Sequence, residues 1–314
     1  MQKNNKPSDQ STFASITDEV HQQHNVRRGL YKKLESKLGK DFKVVAFFTS
    51  FIFPVLIIDQ DADMLEEVLA NSSMDNKKLV LILNSPGGDA LAAERIVNIC
   101  RNYSTDGFSV LVPKMAKSSA TMICLGASNI GMSKTSELGP IDPQILIYDE
   151  RGEPIKYQAA HEIIESYYDL IDKANKTKGR IEPYLQQLAR YDARDIRGIK
   201  SAQKLSGNIA VKLLKSGMLN KFAVSQINRK IEPFLNPKHT ISHGRPIYHD
   251  LAKKCGLRID LYNNNDGAWK TVWELYMRLN YVVSMRAAKI IESYDDSYSA
   301  ALPRGILDKF SSSQ

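Results

Sequence analysis

The hydrophobic rhythm of the chain changes several times, and each change marks an element. Residues 1–14 are polar and read as disordered. Residues 15–39 read as a polar helix. Val20, Leu30, Leu34 and Leu38 draw only a thin apolar stripe on it, which suits a prelude or a partner-binding arm better than a core. From about residue 42 the pattern tightens. FKVVAFF (42–48) reads as a strand, and the longer run Val44–Ile58 reads as two buried strands joined by a turn. DADMLEEVLANSS (61–73) reads as a helix whose acidic first turn suits the helix dipole. KLVLILN (78–84) is a short unbroken apolar run, as a strand buried on both faces of a parallel sheet requires. Ala90, Ala93, Ile96, Val97 and Cys100 then recur at helical spacing. FSVLVP (108–113) is a further strand, SSATMICLGAS (118–128) a short helix apolar on almost every side, and NIGMS (129–133) another strand. Strand–helix alternation of this kind predicts right-handed crossovers and a parallel sheet with helices packed on it.

Beyond Pro143 the pattern becomes mostly helical. LIYDERGEPI (146–155) predicts a hairpin turning at 149–152, and a long helix follows over 157–174. Further helices are predicted at 181–190 and 200–216. Residues 233–250 hold three prolines and read as an irregular connection. Two helices close the pattern, one in DLAKKCGL (250–257) and one across 268–293, and the tail from 294 reads as loose. The expected organisation is an N-terminal arm (1–39), an α/β core (40–220) and a C-terminal helical extension (221–314), with no internal repeat.

Composition narrows the class. Hydrophobic residues make up 43% and charged residues 25%, as in ordinary globular proteins. Cys100, Cys124 and Cys255 have no C-x-x-C spacing and an odd count, which argues against a disulfide framework or a zinc site. The net charge is +8. The basic residues read as spread along the chain, without a dense arm or an aromatic-interleaved stripe, so no nucleic-acid partner is expected. Val44–Ile58 is shorter than the roughly 20 residues a membrane span needs and holds Pro54, so membrane association has no support. No apolar leader precedes the arm, and a cytoplasmic protein is expected. His239, His243 and His249 do not have the spacing of a ligand set, and neither a metal nor a cofactor is expected.

The candidate chemistry lies at two strand-to-helix corners. Ser85-Pro86-Gly87-Gly88-Asp89 turns the strand 78–84 into its helix, and paired glycines there let a ligand approach bare N–H groups at a helix start. Ser118-Ser119 opens the next helix. In a parallel sheet both corners lie at the carboxyl ends of neighbouring strands, where ligands bind. The N–H of Ser119 and that of Gly87 or Gly88 could converge on one oxygen, giving a nucleophile with an oxyanion hole. The bland alternative is a serine that only caps its helix.

The motifs carry a resemblance. Pro86-Gly87-Gly88, Ala92-Ala93-Glu94, Ser118-Ser119-Ala120-Thr121 and Leu138-Gly139-Pro140-Ile141-Asp142-Pro143-Gln144, in that order, resemble the serine dehydrogenase proteinase family. That family belongs with the signal peptide peptidase A and Clp protease groups. A weaker echo lies at 239–257. The resemblance implies a ClpP/crotonase-like α/β fold of repeated β-β-α units, with helical extensions at both ends. It also implies a serine peptidase acting on peptide or protein substrates, and a homo-oligomer. Ser118 becomes the nucleophile, with Gly87, Gly88 and Ser119 forming the oxyanion hole. Asp142 stands near the position where the Clp groups have a histidine, and it reads as a support for the Gly139-Pro140 turn. The expected catalytic pair is a Ser118–Lys156 dyad, with Lys156 at the place of the peptidase A lysine, and His161 in the first turn of the following helix is the alternative base. A lysine in this role must be desolvated. Two other readings fit the same scaffold: an acyl-CoA or thioester enzyme using the same amides, and an adaptor whose site has decayed.

Overall fold

A computed structural model describes residues 24–52, 55–148, 154–236 and 245–301. In chain order the elements begin with α1 (His24–Leu38), β1 (Phe42–Thr49), α2 (Asp59–Ala70), β2 (Lys78–Asn84), α3 (Ala90–Tyr103) and β3 (Ser109–Val112). Then come β4 (Met115–Ala116), α4 (Ser119–Gly126), β5 (Asn129–Met132), β6 (Glu137–Leu138), β7 (Gln144–Tyr148) and β8 (Pro154–Ala159). Four helices follow: α5 (Ala160–Lys176), α6 (Glu182–Leu188), α7 (Ala193–Lys215) and α8 (Val224–Lys230). The last elements are α9 (Glu232–Leu235), α10 (His249–Lys254), β9 (Ile259–Leu261), α11 (Gly267–Met285), β10 (Ala287–Ser293) and β11 (Ser297–Ala301).

Seven strands form one sheet in the order β11-β10-β1-β2-β3-β5-β9. The run from β1 to β9 is parallel, and β10 and β11 add to it antiparallel. Alternation sorts the side chains onto two faces. Val45, Phe47, Leu79, Leu81 and Leu83 face a core completed by α2, α3, α4 and α7. Val44, Ala46, Phe48, Val80 and Ile82 face a second core completed by α1 and α11. The whole is a mixed α/β fold of the ClpP-like kind.

Several elements differ from the sequence expectation. The arm expected to stay outside the core is not peripheral where it is described, because Tyr31 and Leu34 of α1 are wholly buried. The buried Arg27 forks onto Glu292 of β10, with Nε–Oε1 at 2.8 Å and Nη2–Oε2 at 2.6 Å. Of the two strands expected in Val44–Ile58, β1 forms, while Ile57 keeps only an isolated bridge. The helix expected from 157 starts at Ala160, since residues 154–159 pair with β7. The helix expected from 200 starts at Ala193, where the Asp192 side chain accepts from the Arg194 N–H at 2.7 Å and caps it.

The largest departure is at the C-terminal end. Residues 287–293, expected to be helical, form a fully buried strand, and 297–301, expected to be loose, pair with it. The 221–314 stretch is therefore not a purely helical extension but shares the central sheet. Lys289 and Glu292 are charged residues in a strand buried along its whole length. Each is buried with an opposite charge, Lys289 on Asp61 at 2.6 Å and Glu292 on Arg27. The expected disordered stretch 1–14 and the turn at 149–152 lie outside the described residues.

Candidate active site

The glycine corner is built around Ile57. Gly88 bridges Ile57 in parallel fashion, the Ile57 N–H donates to the Gly87 carbonyl at 2.8 Å, and the Asp89 N–H donates to the Ile57 carbonyl at 2.8 Å. A Cβ at Gly88 would stand 2.3 Å from the Ile57 backbone nitrogen and oxygen. A Cβ at Gly87, where φ is +102°, would stand 2.5 Å from the Lys117 carbonyl and 2.7 Å from the Ser118 Cβ. Only glycine fits either place, and the second contact shows how closely the two corners meet. They are also tied by backbone bonds, from the Ser85 N–H to the Met115 carbonyl (3.1 Å) and from the Lys117 N–H to the Ser85 carbonyl (3.0 Å).

Ser118 adopts φ +50° and ψ −122° immediately before α4, and its side chain makes no cap hydrogen bond. The helix-cap reading thus fails on geometry. A residue other than glycine with such dihedrals at a strand-to-helix turn is the arrangement that lifts a nucleophile out of the chain. Ser118 lines a cleft of about 270 Å³ together with Gly88, Ser119, Pro143, Gln144 and Leu205.

The amides around it have different partners. The Gly87 N–H donates to the Ser85 Oγ at 3.1 Å, and that hydroxyl also bonds the Thr49 Oγ1 at 2.7 Å. Among the described residues the N–H groups of Gly88 and Ser119 have no acceptor. Of the three expected oxyanion donors, Gly87 is therefore turned to a hydroxyl behind the corner. The Ser119 Oγ is buried and has no partner among the described residues.

Two later motifs are explained by one side chain. The Thr121 Oγ1 accepts from the Gly139 N–H at 3.0 Å and lies 2.8 Å from the Ala116 carbonyl. It clasps the Leu138-Gly139-Pro140 segment to the start of α4. Lys117, next to the serine, is held by Glu137 at 2.7 Å.

Asp142 follows the clasped segment and is almost fully buried. Its Oδ2 lies 3.0 Å from the His161 Nδ1 and accepts from the His161 backbone N–H at 3.2 Å. Its Oδ1 accepts from the Gln203 Nε2 of α7 at 2.8 Å. Asp142 thus orients His161, beyond the turn-fixing role expected of it. Its chain neighbours Ile141 and Pro143 line the serine's cleft, as does Ala202 beside Gln203. Lys156 stands in β8 opposite Ile147, and its side chain lies outside the described part of the structure. Gln203 and Thr49 are the members of this site that sequence reasoning missed, together with the role of Ser85 as acceptor for the Gly87 amide.

Burial pushes the Cys100 and Cys124 thiols up, and that of Cys255 up to about 11, so none of the three is poised as a nucleophile. His249 opens α10, while His239 and His243 lie outside the described residues. No helix among the described residues is long and apolar enough to cross a membrane.

A parallel α/β sheet with a strained serine facing a glycine corner across a cleft is the framework of a ClpP-like serine protease fold. The comparisons agree: the chain belongs to the ClpP-like SDH-type serine proteinase family, whose profile matches residues 19–278. Similar curated proteins include two uncharacterized proteins of Methanocaldococcus jannaschii. One is 25% identical over 74% of this chain and 69% of its own length. The other is 26% identical over 49% of this chain and 52% of its own length, so the chain spans about half of that relative. Among solved structures, a membrane-bound stomatin-specific protease in mutant form is 21% identical, covering 41% of this chain and 64% of its own, with a TM-score of 0.28.

Proposed function

We propose that this protein is a serine peptidase whose nucleophile is Ser118 and whose base is His161. The observation that carries the reading is the strained, uncapped Ser118 between two amides that have no acceptor among the described residues. In this reading the Ser118 Oγ attacks a peptide carbonyl as the His161 Nε2 takes its proton. The Gly88 and Ser119 N–H groups hold the oxyanion that forms. Collapse expels the amine, which takes the proton back from His161, and water then hydrolyses the acyl-serine by the same route. Asp142 supports this choice of base, because a carboxylate 3.0 Å from Nδ1 keeps the proton there and leaves the Nε2 lone pair free. Lys156 is the competing base. The family reading also carries protein or peptide substrates and self-association, the latter checked by light scattering.

The test is a fluorophosphonate probe followed by mass-spectrometric mapping of the adduct. Ser118 is the expected modified residue, Ser118→Ala is expected to abolish the adduct, and His161→Ala is expected to slow its formation by about 10²–10⁴-fold. Labelling that survives Ser118→Ala would falsify the assignment. Slowing by Lys156→Ala but not by His161→Ala would transfer the base to the lysine. Failure of an accessible, folded protein to react at all would favour a thioester-binding or non-catalytic role.

A further inference from the structure

The +8 charge is not spread evenly. Residues 173–215 hold eleven Lys and Arg against three acids, and the rest of the chain holds 32 of each sign. The whole excess therefore sits in one helical segment, most of it on α7, a helix about 34 Å long by the usual rise per residue. Arg194, Arg197, Lys204, Lys212 and Lys215 are all exposed. At 3.6 residues per turn they fall within an arc of about 80°. Ser201 and Asn208 share this arc, and the single acid of α7, Asp195, lies outside it. Arg194 and Lys212 have acidic partners, Asp192 and Glu94. Among the described residues Arg197 and Lys204 have none.

This basic face borders the cleft. Leu205, a wall of the cleft that contains Ser118, lies about 20° beyond the edge of the arc that Arg194 and Lys212 mark, and Glu94 belongs to α3, whose first turn also lines the cleft. Asp89 beside that turn is engaged in capping α3, accepting from the Ala92 N–H at 3.1 Å. A chain threaded past Ser118 therefore passes along α7. The apolar side of α7 is spent inside the protein, where Ile209, Leu213 and Leu214 are buried. The outer arc thus offers charge, and the only large exposed apolar side chain of α7 is Leu205 in the cleft wall, too little for a helix that lies in a bilayer surface.

We infer that the outer face of α7 captures an acidic stretch of the polypeptide substrate and delivers the adjoining residues to the cleft. This rests on the peptidase reading for the word substrate, but the capture step can be measured without catalysis. The probe is a fluorescein-labelled peptide of fifteen glutamates, its anisotropy titrated against the full Ser118→Ala chain at several salt concentrations. Saturable binding that weakens with salt is expected, because exposed charges are screened at physiological ionic strength. Arg197→Glu with Lys204→Glu is expected to weaken it about tenfold and to flatten the salt dependence. In the catalytically intact protein the same pair is expected to raise KM for denatured casein, an acidic protein. Equal peptide binding by the two forms overturns the proposal. So does α7-dependent flotation with phosphatidylglycerol vesicles, or α7-dependent RNA binding, without glutamate-peptide binding. A failure of fluorophosphonate labelling, by contrast, removes only the peptidase reading and leaves the binding result to be judged separately.

Discussion

Ser118 is held in a conformation that serine seldom adopts, at a cost on the order of 1–3 kcal/mol for such a residue. The surrounding bonds impose it: the Met122 N–H on the Ser118 carbonyl, and the Lys117 N–H on the Ser85 carbonyl. Ser118→Gly should release the strain, raising the denaturant midpoint by the equivalent of about 1 kcal/mol while eliminating the fluorophosphonate adduct. A lower midpoint would show that the backbone there is relaxed. Asp142→Asn removes the charge that orients His161 but keeps the shape, and is expected to cut kcat/KM by about three orders of magnitude or more. An unchanged rate would eliminate His161 as the base. The glycines and the serine were legible in the sequence because a tight corner and a helix start each leave a local mark. Gln203 left none, since it reaches Asp142 from 61 residues away and looks like any polar position on an amphipathic helix. Nor could spacing reveal that the Gly87 amide turns back to Ser85, because that depends on a hydroxyl of the neighbouring strand, Thr49.

At the level of elements, the parallel strands were legible because burial on both faces gives unbroken apolar runs. β10 was not, because it carries two charges that the tertiary structure neutralises. Glu292 lies wholly buried in the fork of Arg27, which ties α1 to the sheet. Glu292→Gln would leave the guanidinium buried and unpaired, and a loss of roughly 3–5 kcal/mol in urea denaturation is expected. A loss below about 1 kcal/mol would mean that α1 docks by its apolar residues Tyr31 and Leu34 alone.

For the whole molecule, the sheet is assembled from distant parts of the chain. β1 is flanked by β2 on one side and by β10 on the other. A chain ending at Met285 keeps every residue of the proposed site but leaves one edge of β1 open, and it is expected to be insoluble or rapidly proteolysed. A soluble, cooperatively melting product would show that the parallel strands suffice. The sequence disclosed the α/β class but not this closure, which pairs segments about 250 residues apart and leaves no periodic trace.

That late neighbour also bears on how the protein is made. β1 emerges from the ribosome well before β10, with seven of its eight residues destined for the interior. Its antiparallel mate is translated only after the serine corner and all the helices that wall the cleft. Nascent chains must therefore carry a sticky, half-finished ribbon until β10 has been made, which makes them natural clients for holding chaperones and delays a closed core until then.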